Sequence, residues 1–246
     1  MYRLYYDFHI HTALSPCGDN DMTPNNVVNM SSICGLNCIA VTDHNSYLNI
    51  EACIKAAENN NLDLLVIPGM EVETQEELHV ICLFPDMQSI KPFGDIVYSR
   101  LNKIPNNEKI FGPQQILNAD DEEIGKATDL LITSTSIGVY ELVELAKEHN
   151  GLAIPAHVDR GSYSIISNLG FIPPDLDISL IEFSRAAKPE ELLPMIRKST
   201  GKDFAYIISS DSHYLEHLPD ASNFLEFEFK PSAYDVIGKL KGLGRK

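Results

Sequence analysis

Short apolar runs, rich in β-branched and aromatic residues, alternate along this chain with longer stretches of helical periodicity. The runs predict strands at residues 3–10, 37–42, 63–71, 77–84, 151–156, 179–183, 204–209 and 224–229. Thr23 followed by Pro24 gives a cap and a proline at the first helical position, which predicts a helix to about Cys34. Ser46 is placed to cap a second helix through Asn59, with Ala52, Ala56 and Ala57 supplying propensity. Residues 140–149 are amphipathic and stop at Asn150-Gly151, and 189–198 and 233–240 complete the helices. Strand–helix alternation at this spacing predicts a parallel sheet with crossover helices, closed into a barrel. One region breaks the rhythm. Between Pro85 and Thr135 the chain carries prolines, asparagines, glycines and the acidic run Asp120-Asp121-Glu122-Glu123. It reads as an insertion at about 86–135, with short helices, on a single domain spanning 1–246.

Composition narrows the class. A chain of 246 residues suits one barrel as well as two small domains. With 44% apolar and 22% charged residues, disorder, collagen-like repeats and a disulfide miniprotein are excluded. The 19 basic and 35 acidic residues leave a net charge of −16, which repels phosphate backbones over most of a surface. Residues 1–10 lack the apolar core of a signal peptide, and no apolar run is long enough to span a bilayer. The five cysteines are scattered without CxxC spacing, so a reduced, cytoplasmic protein is expected.

The candidate chemistry gathers at the ends of the predicted strands. The first ends Asp7-Phe8-His9-Ile10-His11, and residues two apart on a strand share a face, so His9 and His11 project together. The second ends Thr42-Asp43-His44, and the third delivers Glu71 where a barrel keeps its active site. His79 lies in an apolar run, His157 ends Ile154-Pro155-Ala156, and Asp211 and His213 form a closing pair. Each has a bland reading as a solvated or hydrogen-bonded residue, but so many coincidences at strand ends point to metal binding. His149, in the last turn of a helix, and His217, on a polar segment, stay outside the set.

The series DFHIHTALS, AVTDHN, PGMEVE, LHVICLF, IPAHVDR and SSDSH, from Asp7 to about His213, resembles the PHP (polymerase and histidinol phosphatase) superfamily. The resemblance implies an α/β fold, a distorted (β/α)7 barrel of the PHP type, with two or three divalent metals at the strand ends. It also implies phosphoester hydrolysis. Residue by residue, it implies His9, His11, Glu71 and Asp211 for a first metal. Glu71, as a bridging carboxylate, joins His79 and His157 for a second, and His44 and His213 serve a third. The loop after His11-Thr12 departs from the family's, so the remaining third ligand is open between Asp19, the first choice, and Cys17. A Cys17 thiolate would favour a softer metal. Amidohydrolase barrels also begin with HxH but commonly bridge their metals with a modified lysine. This chain has Glu71 at that stage and no lysine on its central strands.

Zn, Mn or Fe would suit mixed histidine and carboxylate ligands. A hydroxide bridging the first two metals is the expected nucleophile. Arg160, three residues past His157, and Arg185 are expected to clamp a phosphate oxygen, and Asp43 to orient a ligand or to serve as the acid. The expected activity is therefore a phosphatase or phosphoesterase acting on a small phosphorylated metabolite or nucleotide. The alternatives are a nuclease or DNA-processing hydrolase, and a non-catalytic regulatory domain. The charge of −16 makes a small phosphorylated substrate the expected partner and argues against extended nucleic acid and membranes. Specificity is expected in the insertion and in residues 161–174, with 110–123 as a lid.

Overall fold

A computed structural model describes residues 1–244. The chain begins with β1 (Tyr2–Ile10), α1 (Pro24–Ile33), β2 (Cys38–Val41), α2 (Ile50–Asn59), β3 (Leu65–Glu73) and β4 (His79–Leu83). Residues 86–135, the expected insertion, contribute α3 (Met87–Ser99), α4 (Glu108–Phe111), β5 (Gln115–Leu117) and β6 (Glu123–Lys126). There follow α5 (Val139–Glu148), β7 (Leu152–Pro155), α6 (Ile165–Leu169), β8 (Leu180–Ser184) and α7 (Pro189–Thr200). The remainder is β9 (Ala205–Ser209), β10 (Phe224–Phe227) and α8 (Ala233–Gly242).

Six strands form one mixed sheet in the order β10-β1-β2-β3-β4-β7. The pairs β1–β2 and β2–β3 are parallel, whereas β3–β4, β4–β7 and β1–β10 are antiparallel. The regular parallel alternation expected of a (β/α)7 barrel is therefore not what forms. Residues 74–78 between β3 and β4 are too few for a crossover helix, which needs a dozen or more residues. They make a tight hairpin instead, with Glu77 in the left-handed region (φ 58°). The result is a curled half-barrel. Its two sides meet through the parallel pair β8–β9. The His11 N–H donates to the Ser212 carbonyl (3.0 Å) beyond β9, and the Val158 N–H beyond β7 donates to the Glu182 carbonyl of β8 (2.9 Å).

One irregularity in β1 turns the histidines inward. Asp7 pairs with Ile39 but Ile10 pairs with Val41, so β1 carries one extra residue against β2. Such a bulge shifts the two-residue alternation by one. Leu4, Tyr6 and Phe8 pack with Ala40, Ile67, Ile81, Ile154 and Ile207, whereas Ile10 belongs to the other cluster, with Ile39 and Val41. The shift falls between Asp7 and Ile10, so His9 lies within it and His11 beyond it, both fully buried at the end of β1.

Helix α1 starts at Pro24 as predicted, and the Thr23 side chain accepts the Asn26 N–H. The second helix begins four residues after the predicted cap, at Ile50. The preceding turn is occupied in tying the insertion down. Asn45 donates to the Leu131 and Thr133 carbonyls, and Asn49 donates to the Gln115 carbonyl and accepts the Leu117 N–H. The insertion also holds a longer helix than expected, α3, packed through Ile90, Phe93 and Val97. Gly94 makes that packing feasible, since a Cβ there would lie 2.2 Å from the Tyr47 ring. Within the acidic run, Asp121 accepts from the Thr23 hydroxyl (2.6 Å) and the Asn25 N–H (2.9 Å), placing a carboxylate at the N-terminus of α1. Residues 114–117, inside the expected lid, are pinned by the Gln115 N–H to the Ala13 carbonyl.

Candidate metal centre

Glu71 is the hub of the strand ends. Fully buried near the end of β3, its carboxylate lies 2.9 Å from His79 Nδ1, 3.2 Å from His44 Nδ1 and 3.4 Å from His157 Nε2. It is also 3.3 Å from His9 Nε2 and 3.2 Å from His11 Nε2. Asp211 Oδ1 faces the same two nitrogens at 3.2 and 3.1 Å. Two residues of the site hold left-handed backbone, Asp211 (φ 55°) and His157 (φ 30°), a region uncommon outside glycine although aspartate and histidine enter it more readily than most.

The hydrogen bonds around these imidazoles decide their tautomers. His9 Nδ1 lies 3.1 Å from the buried Glu182 carboxylate, an acceptor, so that nitrogen carries the proton. Ser15 Oγ donates to Asp43 (2.7 Å) and so accepts from His11 Nδ1 (2.9 Å). In the neutral imidazoles, both Nε2 atoms therefore present lone pairs. They face each other at 3.2 Å, and each faces two carboxylates. Four electron-pair donors this close repel one another. A divalent cation at their centre resolves this, so the donor set fits a metal.

The proton affinities agree. Burial alone would lower the pKa of His9, but Asp211, Glu182 and Glu71 outweigh it and hold it well above the usual imidazole value. His11 is likewise raised against its burial, by Asp211 and Glu71. Despite burial, the imidazoles hold Glu71 and Asp211 well below the usual carboxylate range. The centre thus calls for positive charge. His44 and His213 go the other way: burial, then neighbouring imidazoles, push His44 well down and His213 down to about 4. Both remain neutral electron-pair donors.

Among the described residues, three groups of ligand atoms that could hold a metal converge: His9, His11, Glu71 and Asp211; His44, Glu71 and His79; and His11, Cys17, His44 and His213. The first is the set the sequence suggested. The second has His44 in addition to His79, with His157 alongside Glu71. In the third, Cys17 stands where Asp19 was the first choice. Asp19 folds back on its own loop and accepts the Asp21 N–H (2.8 Å).

Asp43 is buried beneath the centre and accepts the Thr12 N–H, the Thr12 hydroxyl and the Ser15 hydroxyl, each at 2.7 Å. It orients His11 through Ser15 and has no free oxygen aimed at the cavity to act as an acid. Arg160 pairs with Asp211 Oδ2 and lines the same small cavity, of about 170 Å³, with Cys17, His79, His157 and Tyr163. Arg185 does not reach it: its guanidinium donates to the His217 carbonyl (3.1 Å) and lines a separate pocket with Asp7, Ser210 and Asn223. His149 bonds the Leu145 carbonyl of its own helix, and His217 is exposed. Sequence reasoning missed Glu182, which holds both His9 Nδ1 and the His157 N–H (3.0 Å). Its signal was a lone carboxylate inside the apolar run Leu180-Ile181-Glu182-Phe183.

A family model described as the PHP domain matches residues 7–237. The chain belongs to the PHP family. PHP proteins are metal-dependent hydrolases, which agrees with the clusters above. A 5'-3' exoribonuclease Rnm of Salmonella typhimurium is 32% identical over 89 residues, 35% of this chain and 29% of that protein. The match thus spans under a third of the curated relative's length. Endonuclease Q from Pyrococcus furiosus shares the fold with a TM-score of 0.67 and 18% identity, over 99% of this chain and 57% of that one. An endonuclease Q complex with a 27-mer duplex carrying an abasic lesion has a TM-score of 0.58 and 18% identity, over 86% and 49%. These PHP neighbours correct the expectation of a small phosphorylated partner and the argument against extended nucleic acid. A net charge averages over the whole surface, whereas phosphate contact at a metal centre is set by the local cations. Among the described residues, no helix is long and apolar enough to cross a membrane.

Proposed function

We propose that this PHP protein is a metal-dependent nuclease that hydrolyses phosphodiester bonds of nucleic acid. The observation that carries the proposal is the convergence of two imidazole lone pairs with Glu71 and Asp211 beside an arginine-rimmed cavity. The exoribonuclease relative and the endonuclease Q neighbours support nucleic acid over a small metabolite. His9, His11, Glu71 and Asp211 would hold a first metal, and Glu71, His79, His44 and His157 a second. Cys17, His44 and His213 would hold a third. Such ions, Zn, Mn or Fe, would activate water and offset phosphate charge.

The chain's own residues do the rest. Glu182 and the Ser15–Asp43 pair fix the rings of His9 and His11 in the tautomer that leaves Nε2 free. Arg160 spends one N–H on Asp211 and has further donors for a non-bridging phosphate oxygen. Water gives up a proton as its oxygen adds to phosphorus, one P–O ester bond breaks, and the departing oxygen takes up a proton from solvent and leaves as a hydroxyl. The cavity is small enough to take the phosphoryl group alone, while the body of the substrate stays outside.

The test is a substrate panel on chelator-stripped protein reloaded with Mn or Zn: labelled single-stranded and duplex DNA and RNA against phosphomonoesters. Metal-dependent cleavage of an oligonucleotide supports the proposal. Hydrolysis of monoesters alone, or of nothing, refutes it.

A further inference from the structure

Tyr163 stands at the rim of the metal cavity with features the hydrolytic chemistry does not use. Its ring stacks on His79, with centroids 4.9 Å apart and planes 21° from parallel, yet the residue is 49% exposed. One face is therefore packed while much of the ring meets solvent. Its backbone is left-handed (φ 54°), a conformation costly for a bulky aromatic residue. The loop is held there from both sides. The Tyr163 carbonyl accepts the His79 N–H (2.9 Å), the Arg160 N–H donates to the His157 carbonyl (2.8 Å), and the Ser164 hydroxyl donates to the Arg160 carbonyl (2.8 Å). Ser164 also opens α6 with a reciprocal cap. The aromatic face is thus preorganised beside the phosphate-binding arginine.

The size of the cavity says what that face meets. At about 170 Å³ it falls below the roughly 300 Å³ at which pockets begin to enclose a whole drug-sized ligand. A phosphodiester seated there leaves the attached nucleoside at the rim. We infer that Tyr163 is the stacking platform for the base adjoining the scissile phosphate, and that it selects unpaired nucleotides. A base inside a duplex has both faces covered by its neighbours, whereas an unpaired one can lie on the ring. The cavity grips the phosphoryl group alone, so stacking supplies hold on the rest of the strand that the metal site does not. This inference rests on the nuclease reading, and its test separates the two.

An abasic residue is moved stepwise along a single-stranded oligonucleotide, and KM and kcat are measured for the wild type, Tyr163→Phe, Tyr163→Leu and Tyr163→Ala. Base stacking is worth roughly 1–3 kcal/mol, or about 5- to 150-fold. In the wild type and Tyr163→Phe, an abasic residue beside the scissile phosphate should raise KM within that range, with kcat little changed. Tyr163→Leu and Tyr163→Ala should raise KM on the intact strand by a similar factor and be indifferent to the abasic residue there. Metal content should be the same in all four. Equal abasic penalties in Tyr163→Ala and the wild type overturn the inference, as does a loss confined to kcat and metal content. If no strand is cleaved, the nuclease reading fails. Binding of the same oligonucleotides to metal-loaded protein then decides the platform by the same comparison.

Discussion

Glu182→Gln is the substitution that most sharply probes how this centre is built. The glutamate is 1% exposed and meets two N–H groups, His9 Nδ1 at 3.1 Å and the His157 backbone at 3.0 Å. Both contacts use Oε2, and Oε1 also lies 3.3 Å from His9 Nδ1. Glutamine keeps the volume but replaces one of these oxygens with an amide N–H. If the amide nitrogen takes the Oε2 position, it confronts the His157 N–H and drives the His9 proton onto Nε2, where the lone pair is needed. If it takes the Oε1 position, an amide N–H is brought against the His9 N–H. Either arrangement weakens the site. Changing such a supporting partner usually lowers metal affinity 10- to 100-fold, which corresponds to about 1.4–2.7 kcal/mol. The assay is competition for Zn or Mn against a chromogenic chelator, with the Tm of the metal-free protein measured in parallel. An affinity within threefold of wild type would refute the tautomer argument, whatever happens to Tm.

Further outcomes follow from the same geometry. Cys17→Ser should reduce bound metal by up to one ion per chain in elemental analysis, whereas Asp19→Asn should leave it unchanged; the reverse pattern restores Asp19 as the ligand. Arg160→Ala should lower kcat about 10- to 100-fold on a phosphodiester, as expected for a lost charge-assisted contact, while Arg185→Ala stays within about twofold. In metal-free protein, burial would lower the pKa of His79, but Glu71 and then Glu73 raise it to about 9. A raised imidazole stabilises below its unfolded value of about 6.5, and the contribution is lost as pH rises through about 9. The Tm of the metal-free form should therefore fall across that window, and a flat profile would contradict the pairing. Phe84→Ala, which removes a fully buried ring packed 4.7 Å from Phe93, should cost about 3–5 kcal/mol in denaturant unfolding.

Much of the candidate site is legible because its residues stand where strands end, and strand ends are readable from hydrophobic runs. His9, His11, His44, Glu71, His157, Asp211 and His213 are singled out that way, and the fold brings their side chains together. Four features were not legible, each for a physical cause. Glu182 lies within a strand, and the same alternation that exposes a residue on one face buries it on the other, so its polarity gave no direction. Asp19 and Cys17 lie in an irregular loop, where spacing does not tell which side chain turns inward. The parallel barrel was drawn from strand–helix alternation, but strand direction depends on connection length, and the short β3–β4 turn reverses it. Helix α3 was hidden by Pro92 and Gly94. The glycine serves close packing against Tyr47 and lowers local helix propensity at the same time.

The central claim is that four converging donors hold metal for the hydrolysis of nucleic acid. Its most direct test titrates Mn or Zn into chelator-stripped protein and follows ions bound per chain and cleavage of a labelled single-stranded oligonucleotide in the same samples. Cleavage should be absent at the start, rise in step with metal occupancy, and fail to rise in His9→Ala. Cleavage by the stripped protein, or full occupancy with no phosphodiester broken, would contradict the account.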